Sequence, residues 1–148
     1  MFITVLLGVV SFVASSQEHD HHANDTNRYM VLNQGEKWLI DESLHIGLSR
    51  IKTILESNLD DIHYDRFTVG QYAEFAKNIN QQLVFLFEHC QLPPKADTQL
   101  HILLSKVMQG VAKIENATNK KSGVILILQA LNDYPVYFND PKWQPIVH

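Results

Sequence analysis

The residues best equipped for chemistry fall into two groups. The first is Glu18-His19-Asp20-His21-His22, near the amino end. Imidazole and carboxylate groups together bind borderline divalent ions such as Cu(II), Ni(II) and Zn(II). If processing falls after Ser16, His19 becomes the third residue of the mature chain. The free amine, two backbone amides and the imidazole would then enclose Cu(II) or Ni(II) in a square plane. Cleavage one residue earlier, or cyclisation of Gln17, removes that geometry. Read without a metal, His19, His21 and His22 belong to a solvated polar tail. The second group is Glu88-His89-Cys90 with His101 and Met108. Thiol, imidazole and thioether are the donors of a soft-metal site, copper above all. His101 follows His89 and Cys90 across the Pro93-Pro94 turn. At about 1.5 Å rise per residue, antiparallel helices would bring Cys90 and His101 within one or two turns. The competing reading makes Cys90 the last residue of an apolar seam, since free cysteines commonly behave as small core hydrophobes.

Other chemistries lack their residues. There is no Cys-x-x-Cys-His, which excludes covalent haem. Non-covalent haem needs axial ligands from opposite faces; His101 and Met108 share one helix, which leaves Met30 with His101. A di-iron carboxylate site needs Glu-x-x-His on two helices. Glu42-Ser43-Leu44-His45 is one such motif, but Glu74, Glu88 and Glu115 have no histidine three residues later. No nucleophile motif surrounds Cys90 and no glycine-rich phosphate loop occurs, so an enzyme is not expected. The formal net charge is −4 with scattered lysines and arginines, which argues against nucleic acid as a partner. Asn24-Asp25-Thr26 and Asn116-Ala117-Thr118 match the glycosylation pattern, which bears only on a eukaryotic source.

The elements that must position these residues are helical. Asp41 is an N-cap, and Leu44, Leu48, Ile51 and Leu55 repeat on one face, predicting a helix over 41–57. Residues 58–66 are polar and acidic and read as a connection. Tyr72, Ala76, Ile79, Leu83, Leu86 and Cys90 form a second seam of about five turns. Pro93-Pro94 turns the chain. Leu100, Leu104, Val107, Val111 and Ile114 then predict a helix over 95–116. Val124 to Leu128 is an apolar run that would suit a strand by propensity, but a lone strand would leave its backbone groups unsatisfied. A fourth helix over 120–134, ending before Pro135, is predicted instead. The fold expected is all-α, an antiparallel four-helix bundle over residues 28–148. It has an amino-terminal arm over 28–40, whose Trp38 covers one end of the core, and an irregular tail from Val136.

Ahead of the bundle, Met1 to Ser16 carries no charged side chain and an apolar stretch, Phe2 to Val13, too short for a membrane span. With Ala14-Ser15-Ser16 behind it, this reads as a cleavable signal peptide, followed by a flexible histidine-rich tail over 17–27. The 148 residues are 45% apolar and 19% charged, enough for one domain whose core needs neither disulfide nor metal.

Three stretches carry a resemblance: Leu32-Asn33-Gln34-Gly35-Glu36-Lys37-Trp38 with Asp41 and Leu44; Cys90-Gln91-Leu92-Pro93-Pro94-Lys95-Ala96-Asp97 with Leu100-His101; and Tyr137-Phe138-Asn139-Asp140-Pro141-Lys142-Trp143. Together they resemble a group of small exported proteins of Gram-negative bacteria. The resemblance implies a periplasmic location and a bundle similar in outline to cytochrome b562 or cytochrome c′, and no established activity. The expectation is a non-enzymatic binding or accessory protein of the periplasm that handles copper or another soft metal through Cys90, His101, His89, Met108 and the amino-terminal histidines. The alternative is a metal-free interaction module for another envelope protein, and the third reading is a haem-carrying electron-transfer bundle.

Overall fold

The computed structural model describes residues 29–147. The expected signal peptide and histidine-rich tail, and with them His19, His21 and His22, lie outside the described residues. Four helices account for most of the rest: α1 (Glu42–His63), α2 (Val69–His89), α3 (Pro94–Asn116) and α4 (Lys121–Tyr137). Each packs on its sequence neighbours, and α4 closes the ring against α1, so the chain is an all-α bundle with alternating helix directions.

The seams read from periodicity are the core. Leu44, Leu48, Ile51, Leu55, Ala76, Ile79, Leu83, Leu86, Leu100, Leu104, Val107, Val111 and Ile114 are all buried. Asp41 caps α1, its Oδ1 accepting the Leu44 N–H at 2.7 Å. Thr68 caps α2 through a reciprocal capping box with Gln71. Pro94 occupies the first turn of α3, where its missing N–H costs nothing.

Two helix ends differ from expectation. α1 runs on to His63 instead of stopping near residue 57, because Leu59 and buried Ile62 continue the apolar stripe while Asp61 turns outward to Arg66 at 2.8 Å. The chain then breaks at Asp65, whose φ of 57° is left-handed. α4 continues through Pro135 to Tyr137. Pro135 sits in the last turn, where one lost backbone bond is offset by burial of Tyr134 and Phe138 on either side.

A second departure joins the two ends of the chain. Trp38–Leu39 (β1) pairs in parallel with Phe138–Asn139 (β2), Trp38 opposite Phe138. The arm reaches β1 through a hairpin turn in which Asn33 and Glu36 exchange backbone hydrogen bonds of 2.8 and 3.0 Å. Gln34 and Gly35 take the two positive φ values, 54° and 95°, that such a tight turn requires. Trp38 is buried over the core as expected, and its Nε1–H donates to the Val31 carbonyl at 2.7 Å. The Val31 N–H in turn donates to Gln99 Oε1 at 2.8 Å.

Packing around the ring is uneven. α3 and α4 approach closely because glycines face each other: a Cβ on Gly110 would lie 2.7 Å from the Gly123 carbonyl oxygen. α1 and α4 touch least, and the carboxy-terminal tail lies along their seam. Trp143 stands edge-on to Tyr134 of α4 at 4.8 Å, the Lys52 ammonium of α1 lies 5.9 Å from its ring centre, and the Val147 N–H donates to Glu56 at 3.1 Å. No described helix is long and apolar enough to cross a membrane.

Candidate functional site

The soft donors expected at the α2–α3 hairpin stand in different surroundings. Cys90 is the C-cap of α2, with extended backbone, and is half-buried. Burial, then the nearby Asp41 and Asp97 carboxylates, push its thiol up to about 12. A thiolate ligand would therefore have to be formed against its surroundings. His101 is exposed on α3, its Nδ1 2.9 Å from the Asp97 carbonyl of its own helix, and its ring is tilted against Phe87. His89 Nδ1 lies 2.9 Å from the Phe85 carbonyl, and its ring stacks on Phe85. Met108 is half-exposed and lies seven residues from His101, about 10 Å along the helix axis. Met30 belongs to the arm that docks on buried Gln99, whereas His101, two residues on, faces away. Among the described residues, no three or more His, Cys, Asp or Glu side chains are grouped to hold a metal ion.

The structure builds a different polar cluster at the arm-and-tail end of the bundle. The Asp140 carboxylate, its side chain only 1% exposed, sits after β2 and accepts from three directions. His45 Nδ1 is 2.8 Å away, and the buried Tyr134 hydroxyl donates at 3.0 Å to the same oxygen. The Lys142 N–H donates to the other oxygen at 3.0 Å. Nearby, Asp41 Oδ2 accepts the Gln91 N–H at 2.6 Å, tying the start of α1 to the α2–α3 turn. Burial and the adjacent Asp140 raise the Tyr134 phenol well above its ordinary value, so it remains a donor. The cluster fixes the tail, and Lys142 to Glu42 at 2.9 Å repeats the link at the surface. Sequence reading considered Glu42-x-x-His45 only as half of a di-iron motif; the true partner of His45 lies 95 residues on.

At the opposite end, the α1–α4 seam opens beyond the reach of the tail. The groove there has a volume of about 400 Å³ and is walled by Leu59, Ile62, Val124, Ile125 and Leu128. Asp60, His63, Tyr64 and Lys121 stand around it. The Lys121 ammonium is engaged, 2.7 Å from Asp65 Oδ1 and 3.0 Å from the His63 carbonyl. It thereby caps the α1 carbonyl end and pins the α1–α2 loop to α4. Asp60 has no ion-pair partner among the described residues. The arrangement is a mostly apolar cleft with a few polar groups at its mouth, of a size that suits a small molecule. The only sequence signal for it was Val124 to Leu128, where the run is too uniform to show that Ile125 is left half-exposed. No protein-family model matches the chain, and no curated protein or solved structure matches it either.

Proposed function

We propose that this chain is an exported, non-enzymatic binding protein of the periplasm that carries a small, largely apolar ligand in the groove between α1 and α4. The observation that carries the reading is the groove itself. The bundle leaves about 400 Å³ open over apolar side chains at one end, whereas two other hollows of comparable volume are lined largely by polar side chains. A volume in the range of small-molecule sites, walled mainly by apolar side chains, supports a bound occupant. Export rests on the apolar leader and on the resemblance to periplasmic proteins. Copper handling at Cys90, His101 and Met108 is the weaker reading, because the thiol is held protonated and the exposed His101 and Met108 are two helical turns apart.

Native mass spectrometry of the protein purified from its exporting cell tests the proposal, with Ile125→Trp as control. Ile125 is 51% exposed, so an indole there fills the groove without entering the core. The expected result is a bound organic molecule in the wild type that is absent from the variant. A ligand-free wild type that also takes up no apolar dye would overturn the reading. Stoichiometric copper lost in Cys90→Ala would move the function to the α2–α3 hairpin.

A further inference from the structure

The charges around the groove mouth select among apolar ligands, and we infer that it binds an amphiphile carrying a protonated amine, with the amine at Asp60 and the alkyl or aryl body along Leu59, Val124 and Leu128. The inference rests on the binding reading above and names the ligand class for that groove. Two observations carry it. First, the cation at the mouth is already satisfied: Lys121 holds Asp65 at 2.7 Å and the His63 carbonyl at 3.0 Å, so an anionic headgroup would have to displace an existing pair. Second, the acid at the mouth is free, since Asp60 lines the groove and has no ion-pair partner among the described residues. The helix dipoles do not decide the choice, because the carboxy-terminal end of α1 meets the amino-terminal end of α4 at the mouth and the two offset each other.

The neighbouring groups agree with this choice. Asp61 is neutralised by Arg66 at 2.8 Å, and the Arg66 guanidinium lies 5.0 Å from the Tyr64 ring, on the loop beside the groove. His63 stands edge-on to Tyr64 at 4.8 Å. Asp60 is therefore the acid at the mouth left without an ion-pair partner among the described residues. A neutral headgroup would leave the Asp60 charge unused, and a carboxylate would meet it at short range.

Isothermal titration with n-octylamine, 1-octanol and octanoate at pH 7 and low salt separates the inference from the reading beneath it. Octylamine is expected to bind about fivefold more tightly than octanol, the scale of one partly exposed charge pair, with octanoate weakest. Asp60→Asn should bring octylamine down to the level of octanol and leave octanol unchanged. Ile125→Trp should abolish all three. Octanoate binding as tightly as octylamine, or an amine affinity indifferent to Asp60→Asn, would overturn the amine assignment and leave the groove as a binding site. Failure of all three probes with folded wild type would overturn both.

Discussion

Replacing Asp140 with alanine should loosen the arm-and-tail end of the bundle by an amount that the local geometry fixes. The carboxylate accepts from His45, the Tyr134 hydroxyl and the Lys142 N–H, at 2.8, 3.0 and 3.0 Å. Lys142 is exposed and its N–H can turn to water, so its loss costs little. Tyr134 is fully buried and His45 is only partly exposed, so each is left with a donor that water reaches poorly. A buried group stripped of its partner costs about 1–3 kcal/mol. Counting the tyrosine in full and the histidine in part gives a loss of about 2–4 kcal/mol. For a domain of this size that corresponds to a fall in melting temperature of roughly 8–15 °C. Urea unfolding followed by circular dichroism and by tryptophan emission reports it, because Trp143 stands 4.8 Å from Tyr134 and senses the same region.

A double-mutant cycle makes the origin of the loss testable. Tyr134→Phe removes the donor and leaves Asp140 with two partners, which should cost about 1 kcal/mol. In the combined variant no orphaned hydroxyl remains, so the double mutant should be about 1 kcal/mol more stable than the sum of the singles. Additivity to within about 0.3 kcal/mol, or a loss below about 1 kcal/mol for Asp140→Ala, would refute the view that this carboxylate organises the cluster.

Four further outcomes follow from the same packing and hydrogen bonds. Gly123→Ala should destabilise by about 1–3 kcal/mol despite alanine's better helix propensity, because the new Cβ would collide with the Gly110 carbonyl and the Ile114 backbone; Gly47→Ala should cost less, since its Cβ meets the movable Leu86 side chain, and thermal melts rank the two. Asp41→Ala should lose about 1–2 kcal/mol, because Leu44 and Gln91 both give up an acceptor, and chemical denaturation measures it. Cys90 should react with thiol reagents at pH 8 at least about tenfold more slowly than a free cysteine, with Asp97→Asn speeding the reaction. Since its folded-state value is raised to about 12, protonated Cys90 adds stability that is complete below the unfolded value of about 8.5 and lost as pH climbs toward 12. Wild type should therefore weaken more steeply than Cys90→Ala above pH 9 in denaturation curves.

What the sequence made legible was local. A seam such as Leu100, Leu104, Val107, Val111 and Ile114 is written within one helix, so periodicity recovers both the element and its buried face. The run from Val124 to Leu128 was assigned correctly to a helix by asking where its backbone bonds would go. The end of α1 was missed because Asp60 and Asp61 looked like a connection, when tertiary burial of Ile62 carries the helix past them. β1 and β2 hold two residues each, too few for a period, and each exists only against the other across the chain. The His45–Asp140 pair escaped for the same reason, since nothing in residue spacing announces a partner 95 positions away. Soft donors were placed near one hairpin by helix geometry, but periodicity does not say how each side chain is seated. Asp97 and Phe87 hold His101 outward, and the capping position leaves Cys90 half-buried with a protonated thiol.

The two ends of the bundle are closed in different ways. At the arm-and-tail end, a paired strand, a doubly used cap at Asp41 and a buried carboxylate bind segments that lie far apart in sequence. None of these groups is free to meet a ligand without breaking the lock it forms. At the far end the ring is held at the surface, by Lys121 on an Asp65 that is 83% exposed, and the α1–α4 seam is left apolar and open. Regions that must admit a ligand are drawn from the less stable parts of a fold, where opening costs least. A rigid end that fixes the register of all four helices makes such a loosely closed end tolerable, and the proposed groove accordingly lies where α1 and α4 touch least rather than at the residues richest in chemistry.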